Sequence, residues 1–345
     1  MQKERILYID RLRGINIFLV VLGHIVTNNV IQGEYSGVYV WGSTFRMPLF
    51  MFLCGYIAAK VIKPKIFKNY GGFILKKCRT LLIPFFVWPL LVSNFFFTAT
   101  EDYHFLDTMS VLINGGGLWF LLHLFYITIL YSFWLYISSK INSKNKFWLD
   151  TIISGLVLSI LAVLLYFDVS PMIRPLIMFY IFYFAGVFVS KYDMFSNILM
   201  RREVFSVALL VFISLVGFYI YADSTIYNIL IKVICAIAAI AVFYFTIRTI
   251  NWPPLIDKYV RFWGVNSLII YVTHFHIIRI FENPFIPEGV NPFILLVFTA
   301  VLAIIACLIT MTIYSFIKMS PVLNFLLYGS KLNLPFSKKE ATLNT

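Results

Sequence analysis

Arg13 and His24 are the residues whose types and spacing first point to chemistry. If the run around them is helical, eleven steps of about 100° bring the two side chains to within about 20° of one face, separated by about 16 Å along the axis. A charge at a membrane surface and a titratable nitrogen near mid-depth would then share one stripe. Ionisable groups inside a span are costly and point to function. The plainer alternative is an arginine that reaches back to the surface and a histidine hydrogen-bonded to another helix. A second set lies far along the chain. Asn266, Ser267, Tyr271 and His274 recur at spacings of three or four, with His276 beyond them and Glu282 closing the outer end of the run. That spacing makes one polar stripe. Such a stripe faces a bundle interior or a cavity, and interhelical hydrogen bonding is the alternative to a cavity. Trp119 and His123 stand one turn apart in a third apolar run, where His123 is deep enough to require a partner.

Cations gather elsewhere. Asp10 and Arg13 are three apart and can pair across one turn. Lys76 and Arg79 are also three apart, just before another apolar run. With Arg13 they would form a cationic mouth suited to phosphates, whether of lipid headgroups or of a nucleotide-containing donor. The four cysteines, Cys54, Cys78, Cys235 and Cys307, are scattered, so neither a zinc site nor a disulfide framework is expected, and no metal is.

The elements that must position these residues follow from composition. The 345 residues are 61% hydrophobic and 12% charged. A soluble domain carries about twice that charged fraction. The apolar runs predict an all-α, polytopic membrane bundle with about ten spans, near 13–31, 43–62, 81–98, 118–138, 148–167, 173–190, 203–222, 227–247, 264–282 and 293–316. Alternate loops hold 24 of the 28 lysines and arginines, against two in the other set. That imbalance predicts that both termini are cytoplasmic. It also accounts for the net charge of +13 without nucleic acid. The outer loops carry acids, and the longest, 99–117, ends in Gly115-Gly116-Gly117, a flexible connection or a mobile flap. The first run is expected to remain as an anchor rather than to be cleaved. The transmembrane domain is expected over 1–320, followed by a short cytoplasmic tail over 321–345.

With these residues in view, the chain resembles the membrane acyltransferase-3 family of bacterial O-acyltransferases along essentially its whole length. One motif is Asp10-Arg11-Leu12-Arg13-Gly14, with ten residues between Arg13 and His24. Another is Met47-Pro48-Leu49-Phe50-Met51-Phe52-Leu53-Cys54-Gly55, in which Cys54 replaces the family's usual serine. A third is Lys76-x-x-Arg79, where the family has two arginines, so a lysine keeps the charge but loses bidentate phosphate binding. Further matches are Leu81-Leu82-Ile83-Pro84, Trp119-Phe120-Leu121, and Asn266-Ser267-Leu268 through Tyr271 to His274.

The resemblance implies an inner-membrane O-acyltransferase. It would move an acyl group, most often acetyl from acetyl-CoA, to a hydroxyl of a cell-surface or lipid-linked glycan, among membrane lipids. Arg13, Lys76 and Arg79 would then hold the phosphates of acetyl-CoA, with Asp10 orienting Arg13. His24 would be the base or the nucleophile. Trp119, His123, Asn266, Ser267, Tyr271, His274 and Glu282 would line the substrate site, several of them as oxyanion donors. The runner-up is a transporter or flippase of a polysaccharide or lipid-linked sugar. That class favours interrupted spans in repeated halves, and the sequence shows no such repeat.

Overall fold

The computed structural model describes residues 6–93, 109–112, 116–142, 145–219, 225–278 and 284–332. Glu282, most of the 99–117 loop and the last part of the tail lie outside the described residues. The described residues are helical, with no β-strand among them. One isolated bridge joins Val30 to Ile286.

The helices are α1 (Leu7–Asn29), α2 (Gly37–Ser43), α3 (Arg46–Val61), α4 (Tyr70–Lys77), α5 (Ile83–Val87), α6 (Trp119–Lys140), α7 (Lys146–Tyr166) and α8 (Ile173–Lys191). They continue as α9 (Asp193–Leu199), α10 (Arg202–Tyr219), α11 (Thr225–Thr249), α12 (Pro254–Val265), α13 (Ser267–Ile278), α14 (Pro292–Ile317) and α15 (Pro321–Tyr328). Among the described residues, six stretches are long and apolar enough to cross a bilayer: Gly37–Val61, Trp119–Lys140, Lys146–Tyr166, Ile173–Lys191, Ile229–Thr249 and Pro292–Ile317. The protein is therefore a multi-pass, all-helical membrane protein.

Three expected spans take a different form. The run over 264–282 does not begin as one helix, because a turn at Asn266 separates α12 from α13. The Asn266 amide nitrogen donates to the Phe262 carbonyl at 2.8 Å. A short polar side chain that bonds its own backbone in this way offers an alternative to continued helix. The ten residues before this run, read from sequence as an inner loop, belong to α12, which has proline in its first turn, where a missing N–H does no harm. The run over 43–62 is preceded by α2, and the chain turns at Thr44 and Phe45 before α3. The run from 81 onward alternates short α segments with π-helical turns at Cys78–Leu82 and Trp88–Ser93.

The chain divides into two compact units. One comprises Met1–Lys63 and Ile137–Thr310, the other Pro64–Tyr136 and Met311–Thr345. In the first unit, α3 and α8 meet backbone to backbone. A Cβ on Gly55 would lie 1.8 Å from the Tyr183 carbonyl oxygen, and one on Gly186 1.9 Å from that of Phe52. Small residues let membrane helices touch in this way. Around the pair, Phe45, Phe52, Tyr180, Tyr183 and Tyr244 are fully buried. Asp150 is buried too, and it accepts hydrogen bonds from Ser138, Lys191 and Tyr192. In the second unit, α15 packs on α5. The Trp88 indole donates to the Leu327 carbonyl at 2.7 Å, and Tyr328 lies edge-on to Tyr314.

Candidate active site

The site in the first unit is set by how α1 crosses α12. A Cβ on Gly14 would lie 1.9 Å from the Val260 carbonyl oxygen, and one on Gly264 1.8 Å from that of Asp10. Only glycine at both positions lets the two backbones meet. Because α13 follows α12 after a single turn residue, this crossing also carries α13 alongside α1. Two contacts result. The Arg13 guanidinium donates to the Ser267 hydroxyl at 2.8 Å. Eleven residues along α1, the His24 ring lies 5.2 Å from the His274 ring, centroid to centroid, tilted by 46°. Phe275 closes edge-on against His24 at 5.5 Å. Arg13 meets the start of α13 and His24 its later turns, so the two helices run in the same direction.

The polar stripe expected on α13 faces inward at Ser267, Tyr271 and His274, all buried. Tyr271 and His274 are ring neighbours at 6.1 Å. Asn266 is half-buried and tied to its own helix. His274 Nδ1 lies 2.8 Å from the Ile270 carbonyl. A carbonyl can only accept, so Nδ1 carries the proton and Nε2 presents its lone pair. That Nε2 is buried and makes no hydrogen bond among the described residues. A buried polar atom of this kind calls for an explanation, and a reacting group is one.

The Arg13 end carries charge. Arg11 Nε donates to Asp257 at 2.6 Å, and Arg261 reaches the same carboxylate at 2.8 Å. The hydrogen bond from Arg11, followed by that from Arg261, holds the Asp257 carboxyl below its ordinary range despite the opposing effect of desolvation. Asp10 is buried and lines a pocket of about 430 Å³ together with Lys258, Tyr259, Arg261, Phe262 and Val265.

At the His24 end stands a residue that the spacing of polar side chains did not single out. Arg46, the first residue of α3, is buried. Its Nη1 donates to the Leu19 carbonyl at 2.9 Å, and its guanidinium lies 5.1 Å from the Tyr39 ring. A Cβ on Gly23, the neighbour of His24, would fall 1.2 Å from Nη1. Asn16 secures the arrangement by donating to the Arg46 carbonyl at 2.8 Å. An arginine inside an apolar run is the signal that could have singled it out.

The other expected site residues belong to the second unit. Lys76 is exposed at the end of α4. Arg79 follows within the π-helical turn, and its Nε donates to the Gly329 carbonyl at 3.1 Å. Gly329 closes α15 with φ of +61°, a left-handed cap that glycine adopts freely. A cation at the exposed carbonyls of a helix end is also favourable electrostatically. His123 is buried in α6, with Nδ1 2.8 Å from the Trp119 carbonyl and its ring 5.8 Å from the Trp119 ring.

Comparison with known proteins completes the description. A family described as an acyltransferase domain matches residues 6–312. The nodulation protein NolL of Mesorhizobium japonicum is 31% identical over 97 residues, which is 26% of this chain and 24% of that protein. This chain therefore matches about a quarter of the length of that relative. No solved structure gives a significant match.

Proposed function

The chain belongs to the membrane acyltransferase-3 family, and from that premise we propose that it transfers an acetyl group from cytoplasmic acetyl-CoA to a hydroxyl of a cell-surface or lipid-linked glycan, in the inner membrane. The observation that supports this reading best is the His24–His274 contact on two helices whose other ends meet at Arg13 and Ser267. A cation for an anionic donor and an imidazole for proton transfer are thereby held along one helix pair.

In this mechanism His24 takes the proton of the acceptor hydroxyl as the oxygen attacks, then returns it to the leaving sulfur. Acetyl-CoA supplies the thioester, whose carbonyl carbon gains the new C–O bond and loses the C–S bond. His274 packs against His24 with its own Nδ1–H committed to Ile270, so its orientation is fixed. The buried Tyr271 hydroxyl is a donor for the developing oxyanion. Arg13, steadied by Ser267, binds a phosphate of the donor. In the second unit, Arg79 is anchored through Nε alone among the described residues, which leaves its two terminal nitrogens for a phosphate, beside the exposed Lys76.

The test is purified protein with radiolabelled acetyl-CoA and a panel of glycans. Wild type is expected to label one class of glycan. His24→Ala is expected to lower the rate by about 10²–10⁴-fold, the usual contribution of a general base, while inserting and unfolding like wild type. Undiminished transfer by that variant would remove His24 from the chemistry.

A further inference from the structure

We propose that the C-terminal helix α15 is a positioning element for the acyl donor: its closing residue, Gly329, holds the Arg79 guanidinium so that the Nη1–Nη2 edge is presented to a donor phosphate. That Arg79 takes a phosphate rests on the acyl-transfer reading above, whereas what holds Arg79 stands on geometry within the second unit. The acyltransferase match ends at residue 312, and α15 spans Pro321–Tyr328, so the holding group lies outside that match. The carbonyls that close a helix have no partner within it and need donors from elsewhere. Two donors reach the end of α15 from one run of the chain. Arg79, in the π-helical turn Cys78–Leu82, donates through Nε to the Gly329 carbonyl at 3.1 Å. Trp88, in the π-helical turn Trp88–Ser93, donates to the Leu327 carbonyl at 2.7 Å. Such π-helical turns are frequent at functional sites.

The contact is fixed by backbone. The helix begins with Ser320 accepting from the Leu323 N–H and with Pro321 in its first turn, and it stops at Gly329. A Cβ on Gly329 would lie 2.0 Å from the Arg79 carbonyl oxygen and 2.8 Å from the Thr80 Cα, at a φ of +61° that other residues rarely adopt. Only glycine therefore lets the end of α15 lie against the turn that carries Arg79. The buried Tyr328 ring steadies the same end, 6.0 Å from the Trp88 ring and 5.1 Å from that of Tyr314. A guanidinium is planar, so a bond at Nε sets the direction of the whole fork. The edge that this bond leaves over is Nη1–Nη2, which can grip a phosphate through two hydrogen bonds. Arg79 is only half-buried, so a ligand can reach it. Lys76 in the same motif is a point charge without a fork, so planar recognition there falls on Arg79 and depends on its aim.

Steady-state acetyl transfer by the full-length protein, with the glycan that wild type labels, tests the proposal in four forms: wild type, Gly329→Ala, Arg79→Lys and the double variant. Gly329→Ala is expected to raise the KM for acetyl-CoA about tenfold with kcat nearly unchanged, as the loss of a hydrogen bond that orients a charged group would. Lysine has a methylene where arginine has its Nε–H. Arg79→Lys is therefore expected to raise KM as well, and Gly329→Ala to add nothing further in the double variant. A cap that only stabilises the fold would add the same factor in both backgrounds, or would lower kcat and the unfolding midpoint with KM unmoved. Either result overturns the proposal, as does an unchanged KM in Gly329→Ala. Trp88→Phe, which releases the Leu327 carbonyl and keeps an aromatic ring, is the second variant should Gly329→Ala fail to fold. It is expected to raise KM in wild type and not in the Arg79→Lys background, and an equal effect in both overturns the proposal. Coenzyme A titrated calorimetrically into the same preparations keeps the two readings apart. Coenzyme A binding that weakens in Gly329→Ala, without acetyl transfer by wild type, counts against the acyltransferase mechanism alone. Transfer with a KM indifferent to Gly329 counts against this positioning role alone.

Discussion

Asp257 takes both Arg11 and Arg261, and those contacts depress its pKa in the folded protein. The folded state thus binds its proton less readily than the unfolded chain. The stabilisation is fully present above the unfolded-state value of about 4 and is lost as pH falls through the folded-state value. Asp257→Asn is therefore expected to lower the unfolding midpoint by a few degrees at pH 7. The gap from wild type should close as the buffer is taken to about pH 3 and below, and a gap that persists there would assign the loss to packing instead. The sequence showed part of this end. The basic opening of α1 and the stripe on α13 were legible from type and spacing, and Ser267, Tyr271 and His274 are indeed buried on one helix. The partner of Arg11 was not legible. Arg11 reaches an acid 246 positions away on another helix. A partner at that separation leaves no trace in local spacing.

The α1–α12 crossing sets the position of α13, and hence of the His24–His274 pair. Gly264→Val is expected to force the backbones apart, because even a Cβ there would fall 1.8 Å from the Asp10 carbonyl oxygen. Overpacking typically costs about 1–3 kcal/mol. A contact with backbone on both sides should reach the upper end of that range, with acyl transfer lost together with thermal stability. Measured midpoint and activity close to wild type would show that the crossing is not rigid. Gly14 was visible as part of the Asp10–Gly14 motif, but Gly264 was not, since a glycine in an apolar run announces no partner. The turn at Asn266 was hidden for a related reason. No proline or paired glycine marks it, and the apolar residues on both sides continue the pattern of a single span. By contrast, α6, α7, α8, α11 and α14 fall within a few residues of their expected spans, because a run long enough to cross a bilayer is a signal that local chemistry does not disguise.

At the scale of the whole molecule, the parallel course of α1 and α13 bears on topology. They fall in the first and ninth of the expected spans, which an alternating path sends across the membrane in the same direction. With the basic loops inside, Lys258 is expected on the cytoplasmic face and Tyr35, exposed after α1, on the opposite face. In a cysteine-free background, Lys258→Cys and Tyr35→Cys should react with a membrane-impermeant thiol reagent from opposite sides of sealed vesicles. Labelling of both from one side would refute the ten-span path. Charge asymmetry along the sequence carried this expectation, because the rule depends on which loops hold cations and not on how the helices pack.

The guanidinium of Arg46 occupies the space that a side chain at position 23 would need. Positions 23 and 46 are therefore not free to change one at a time. Gly23→Ala in the presence of Arg46 should be strongly destabilising, while the same alanine in an Arg46→Met background should be nearly harmless to folding. A four-variant thermal cycle should return a coupling of at least about 1 kcal/mol, the mark of residues in contact. The order of substitutions then matters. A lineage that keeps Arg46 is confined to glycine at 23, and one that surrenders the arginine first opens the site to a different residue there. The absence of coupling would mean that the arginine can swing clear.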